Sequence, residues 1–162
     1  MLRVGLTNNS NLATFSVTLK YRDCAMITYL EACDAITPEE LRGFFVGWPN
    51  PPSAETHLKI LQRAHKIVLA VDNDSRKVVG FVTAITDGFI SAYIPLLEVL
   101  PSYQHRGIGQ ELMQRMLENF KDLYMVDLTC DTNLQDFYRQ FGMRESTGMM
   151  IRNFDRQSCK PV

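Results

Sequence analysis

The strongest periodicity in the chain lies between positions 108 and 120. Ile108, Leu112, Met113, Met116, Leu117 and Phe120 recur at helical spacing, with Glu111, Gln114, Arg115 and Glu118 on the opposite face. That pattern predicts an amphipathic helix. The preceding run 89–100 is mostly apolar and predicts the central strand of a sheet, with Pro95 inside it marking a bulge or an unpaired edge. Upstream, 67–71 and the β-branched run 78–86 predict two more strands, separated by the turn Asp72-Asn73-Asp74-Ser75. Asp87-Gly88 predicts a hairpin turn into 89–100.

Downstream, 123–130 predicts a buried strand, parallel to 89–100 if the intervening helix is a crossover. Asp131 or Asn133 caps a further helix with Leu134, Phe137, Tyr138 and Phe141 on one face and Gly142 as its stop. The run 149–154 predicts a last strand.

The earlier part of the chain predicts two helices behind a strand over 26–31. Thr37-Pro38-Glu39-Glu40 carries a cap, a proline at the first helical position and a capping box, so a helix is expected to about Phe45. Gly47-Trp48-Pro49-Asn50-Pro51-Pro52 breaks it, and Ser53 caps the next, ending near His65. Phe15, Val17, Leu19 and Tyr21 alternate as a strand does. Residues 1–25 are therefore expected as an edge strand or an extension, 26–154 as one domain, and 155–162 as a tail.

Composition narrows the function. A net charge of -1 argues against nucleic acid or an anionic membrane as partner, since both call for a basic face. No apolar run approaches the roughly 20 residues of a membrane span, and the N-terminus lacks a basic-then-apolar signal. Cys24, Cys33, Cys130 and Cys159 are widely spaced with no Cys-x-x-Cys pair, so neither disulfides nor a metal site is expected, and a cytoplasmic location fits.

The chemistry concentrates at Gln104-His105-Arg106-Gly107-Ile108-Gly109-Gln110. The first N–H groups of a helix have no helical carbonyl to bind, and the helix dipole places positive potential there. Glycines at that corner let a phosphate or pyrophosphate approach the backbone. The spacing is neither Gly-x-Gly-x-x-Gly nor a P-loop. Gln104-x-x-Gly107-x-Gly109 after a strand ending Leu97-Glu98-Val99-Leu100-Pro101 resembles the acyl-CoA signature of the GNAT superfamily of N-acetyltransferases. Asn133-Leu134-Gln135-Asp136-Phe137-Tyr138-Arg139-Gln140-Phe141-Gly142-Met143 is similar to a second segment of that family, with Asp136 at its usual alanine.

The resemblance implies an α/β (α+β) fold over about residues 26–154. Its sheet would be mixed, mostly antiparallel, flanked by helices and splayed where acetyl-CoA lies. It also implies direct acetyl transfer to an amine in a ternary complex, with no metal and no covalent nucleophile. The Leu97 N–H would face the thioester carbonyl and the Val99 backbone the pantetheine amides. The N–H groups from Gln104 through His105, Arg106, Gly107, Ile108 and Gly109 to Gln110 would cradle the pyrophosphate. Asn133 would touch the pantetheine arm, and the Tyr138 hydroxyl would face the sulfur as general acid.

Three assignments stay open. Glu98 is a base acting through water, an anchor for the amine, or a structural hydrogen-bonding group; family members with a direct strand glutamate carry it where this chain has Tyr93. Trp48 lines an amine pocket or plugs the core. The acceptor is a small-molecule or protein amine. The alternative function is a non-catalytic acyl-CoA-binding module, against which Tyr138 argues because a binder needs no thiol-facing acid. A homodimer stays open as well.

Overall fold

The computed structural model describes residues 26–159. The expectations for 1–25 and for the last three residues of the tail lie outside them. Five strands form one sheet in chain order: β1 (Ile27–Leu30), β2 (Lys66–Asp72), β3 (Lys77–Thr86), β4 (Ser91–Val99) and β5 (Met125–Asp127). The first four are antiparallel and β5 runs parallel to β4. The helices are α1 (Ala54–Arg63), α2 (Ile108–Glu118) and the short α3 (Gln135–Arg139). Because α2 lies between β4 and β5, it is the crossover that parallel strands require.

The sheet is covered on both faces. Ile67, Leu69, Val71 and Phe81 pack with Leu41, Phe44, Phe45 and Leu61 on one side. Val68, Ala70, Val79 and Val82 pack with Leu112, Met113 and Met116 of α2 on the other. Gly80 makes that second seat close, since a Cβ there would meet the Leu112 side chain at 3.0 Å and that of Val99 at 3.2 Å. β3 is therefore the middle strand, not the 89–100 run. Its residues are buried on both faces, whereas half of β4 looks into open space.

That opening arises from two local features of β4. Thr83 pairs with Leu96 and Ile85 with Tyr93, so Ile94 and Pro95 together oppose Ala84 alone, a bulge. On its other edge β4 pairs with β5 only from Ser91 to Tyr93. Beyond Tyr93 the two strands part, and the edge over 95–99 has no strand neighbour among the described residues.

Three expected elements differ. Half of the capping box at 37 forms: the Thr37 N–H and hydroxyl donate to Glu40 Oε2 at 2.8 and 3.0 Å, but the Glu40 N–H goes to the Thr37 carbonyl rather than to the hydroxyl. Yet only a 3-10 turn, Glu39–Leu41, follows, because Gly43 (φ 100°) and Phe45 (φ 61°) leave the helical region and Phe45 turns inward. The strand expected over 123–130 shrinks to the three residues of β5, of which only Val126 is partly buried and Met125 and Asp127 are exposed. Residues 149–154 join no strand ladder among the described residues, and Met149, Ile151 and Phe154 stand exposed. Met-Met-Ile-Arg-Asn-Phe has no alternating face to bury, so hydrophobicity alone does not hold it in the sheet. Gln157, from the expected tail, instead accepts a hydrogen bond from the Asn50 N–H at 3.2 Å.

Ser53 caps α1 as its sequence predicts, accepting from the Thr56 N–H. The helix buries His57, 1% exposed, among the rings of Phe44, Phe45 and Phe81. Neither ring nitrogen has a hydrogen-bond partner among the described residues. Burial pushes the imidazole pKa down to about 4, opposed in part by the backbone of Leu41 from outside hydrogen-bonding geometry. The unfolded chain takes up this proton near the ordinary pKa of about 6.5, before the folded one does. The neutral ring's contribution is thus full above that pH and is lost as pH falls toward 4, on the order of 3 kcal/mol across the window. Urea unfolding at pH 7 and pH 4.5 should show this loss, and His57→Phe should remove that part of it. Parallel pH dependences in the two proteins would contradict it.

Candidate functional site

Where β4 and β5 part, a cavity of about 550 Å³ opens, lined by Leu97, Val99, Gln104, Gly107, Gly109, Gln110 and Tyr138 among others. Its floor is the start of α2. Gly107 is the N-cap, in the left-handed region at φ 81°, and the first helical bond runs from the Glu111 N–H to the Gly107 carbonyl at 3.0 Å. The N–H groups of Ile108, Gly109 and Gln110 precede that bond and have no helical acceptor. The Ile108 side chain itself turns into the core, 4% exposed. A Cβ on Gly109 would stand at 3.7 Å from both Phe137 and Val99, filling the cradle between two cavity walls. The room over the N–H groups, and the glycine that keeps it, fit a pyrophosphate.

The loop leading into α2 is tied down from a distance. After β4 a 3-10 turn, Pro101–Tyr103, brings the Tyr103 hydroxyl to Asp72, where it donates to Oδ2 at 2.7 Å. Ser75 donates to the same oxygen at 2.8 Å. The Arg106 guanidinium lies over the Tyr103 ring, 5.1 Å from its centroid, rather than in the cavity wall. His105 lines the cavity with its backbone left-handed at φ 59°. Gln104 donates from Nε2 to the Val99 carbonyl at 2.9 Å, so its side chain braces the end of β4. Gln110 donates likewise to Gln140 at 2.8 Å, joining α2 to α3.

Tyr138 on α3 forms part of the opposite wall, its ring edge-on to Phe137 at 5.0 Å. Its hydroxyl makes no hydrogen bond among the described residues. Burial, with the Cys130 thiol adding to it, pushes its pKa up to about 12. The phenol therefore keeps its proton throughout the physiological range. Asn133, in the turn before α3, is exposed and outside the wall, whereas Leu134 from that turn is in it. Leu134, Phe137 and Tyr103 are the lining residues that sequence reasoning did not single out. The Phe137-Tyr138 segment was a signal for one of them.

A second cavity, about 410 Å³, lies on the other side of β4 and is lined by Phe45, Val46, Trp48, Phe81, Pro95, Leu96, Leu97, Glu98 and Gln104. Trp48 is 39% exposed and packs edge-on against Phe45 at 5.1 Å, so it is a cavity wall with one face on the core. The Glu98 carboxylate accepts the Phe45 N–H at 2.8 Å and the Val46 N–H at 3.0 Å. Tyr93, below the opening, pairs its hydroxyl with that of Thr129 at 2.8 Å. Leu97 and Gln104 line both cavities.

Comparison with known proteins agrees with this geometry. The profile of the Acetyltransferase (GNAT) family matches residues 33–143. A crystal structure of an acetyltransferase candidate from Deinococcus radiodurans R1 superposes with a TM-score of 0.80 at 45% identity, covering 84% of this chain and 94% of that one. A GNAT-family acetyltransferase from Streptococcus pneumoniae TIGR4 gives 0.64 at 36% identity, over 79% and 98% of the two chains. Among curated proteins, a chloroplastic GCN5-related N-acetyltransferase 1 of Arabidopsis thaliana is 27% identical over 113 residues, 67% of this chain. The histone acetyltransferase TAP1 of Glycine max is 27% identical over 107 residues, 60% of this chain. The matches span 57% and 46% of those two relatives, about half their length.

Proposed function

The chain belongs to the GNAT acetyltransferase family, and from that premise we propose that it transfers the acetyl group of acetyl-CoA to a primary amine by direct attack in a ternary complex. Acetyl-CoA supplies the activated thioester. The observation that carries the reading is that Leu97 and Gln104 line both cavities, one on each side of β4. A pantetheine arm lying along the unpaired edge of β4 would end beside Leu97, the residue that an amine in the second cavity also touches.

Each residue's part follows from its place. The free N–H groups of Ile108, Gly109 and Gln110 hold the pyrophosphate. Leu97 and the Val99 N–H, on the edge of β4 that pairs with no strand among the described residues, orient the arm as a neighbouring strand would, while Gln104 Nε2 occupies the Val99 carbonyl. Tyr138 holds a proton at its phenolic oxygen for the leaving sulfur. Phe45 and Trp48 exclude water around the amine.

Thiol release from acetyl-CoA, measured with the purified protein over a panel of small amines and amine-bearing peptides, tests the proposal. Release with at least one amine is expected. Saturable acetyl-CoA binding with no release from any amine would favour the non-catalytic acyl-CoA-binding module instead. Within an active pair, Trp48→Ala should raise the acceptor KM roughly tenfold while acetyl-CoA affinity stays put. A lowered melting temperature with unaltered kinetics would return Trp48 to the core.

A further inference from the structure

We infer that Glu98 is a positioning residue whose carboxylate clamps the backbone of Phe45 and Val46 and thereby holds the aromatic wall of the amine cavity in place. Glu98 stands on β4 opposite Phe81, on the edge of that cavity. Oε2 accepts the Phe45 N–H at 2.8 Å and Oε1 the Val46 N–H at 3.0 Å, from a segment 53 and 52 residues away in the chain. Each oxygen takes one N–H, so the bond set is bidentate, and hydrogen bonds to a carboxylate are stronger than neutral ones.

The clamped segment needs such a hold. Phe45 sits at φ 61°, a region non-glycine residues rarely adopt unless their surroundings impose it. On either side Gly43 (φ 100°) and Gly47 (φ 81°) give the backbone little resistance of its own. From the clamped turn the Trp48 N–H donates to the Phe45 carbonyl at 3.1 Å, and the Trp48 ring leans on the buried Phe45 ring. The chain of contact is therefore Glu98, then the Phe45–Val46 backbone, then Trp48. A base needs an oxygen aimed at the attacking nitrogen; here both are directed at the loop.

Trp48 is the one tryptophan in the sequence, so intrinsic fluorescence reads this wall directly. Two variants separate the roles. Glu98→Gln keeps the size and one acceptor but turns an amide N–H₂ toward the second N–H. Glu98→Asp keeps the charge and loses the reach. Both should shift the Trp48 emission to longer wavelength and raise its quenching by acrylamide, in the absence of any substrate. Both should raise the acceptor KM about tenfold, the effect of losing one charge-assisted hydrogen bond. The kcat value, acetyl-CoA affinity and acidic limb of the pH–rate profile should be retained. Unchanged fluorescence, with a fall in kcat and loss of the acidic limb in Glu98→Gln, would make Glu98 the base and overturn the inference; unchanged fluorescence and KM together would overturn it too. The kinetic arm rests on the acetyl-transfer reading, but the fluorescence arm does not, so failure of one is distinguishable from failure of the other.

Discussion

Gly109→Val should abolish the stabilisation of this protein by acetyl-CoA while leaving the free protein folded. Wild-type protein with ligand at a hundred times its dissociation constant gains about 2.7 kcal/mol. For a chain of this size that is a rise in melting temperature of roughly 5–10 °C. A Cβ at position 109 would meet Phe137 and Val99 at 3.7 Å, an ordinary contact distance, and the backbone there lies outside the left-handed region. The fold therefore has room for a Cβ there, and the valine methyl groups have to turn away from Phe137 and Val99. The ligand has no such room, because valine methyl groups would stand over the N–H groups at the start of α2. Gly107→Val should also abolish binding, but its φ of 81° adds strain, so the free protein should melt lower as well. Thermal melts of both variants, with and without millimolar acetyl-CoA, read the difference. An undiminished ligand shift in Gly109→Val would remove the pyrophosphate from the α2 terminus.

Tyr138→Phe should lower kcat by about 10²-fold, the lower end for general acid–base catalysis, with little change in melting temperature or acetyl-CoA affinity. The hydroxyl has no hydrogen bond to lose among the described residues, and the edge-on contact with Phe137 at 5.0 Å needs only the ring. A pKa of about 12 makes the phenol a weak acid in water. The same desolvation raises the proton affinity of a thiolate leaving beside it, so donor and acceptor shift together. It also fixes the sign of one pH effect. Tyr138 stays protonated until the pH nears its raised pKa, so it contributes no alkaline limb to kcat between pH 7 and about 10. A wild-type kcat in Tyr138→Phe, under conditions where chemistry limits turnover, would leave Tyr138 as cavity wall alone.

Much of the frame was legible from short stretches. The α2 periodicity, the glycine corner before it, the Ser53 cap and the Asp87 turn each depend on residues within a few turns of one another along the chain. In that last turn Asp87 Oδ1 receives the N–H groups of Phe89, Ile90 and Ser91. Pro95 likewise announced its bulge, since a proline cannot complete a ladder. The family resemblance rested on the same local segments, which is why it pointed to the α2 side of β4.

The acceptor side was not legible in that way. Thr37-Pro38-Glu39-Glu40 encodes a helix start, and Glu40 does accept the Thr37 N–H, but only the turn Glu39–Leu41 follows and the Phe45 N–H goes to Glu98, 53 residues on. Nothing near Glu98 in sequence shows that its carboxylate meets the Phe45 and Val46 N–H groups; that follows from where the 43–48 segment lies in space. Tyr103 reads as an ordinary turn residue until folding brings Asp72 to its hydroxyl. The run 149–154 is hydrophobic enough for a strand but finds no partner strand among the described residues. The sequence by itself determined α1, α2, the first four strands and the turns beside them, because those preferences come from neighbouring residues. Only the tertiary structure decided which groups Glu98, Tyr103 and Trp48 meet, because a contact depends on distance in space and the chain does not carry that distance locally.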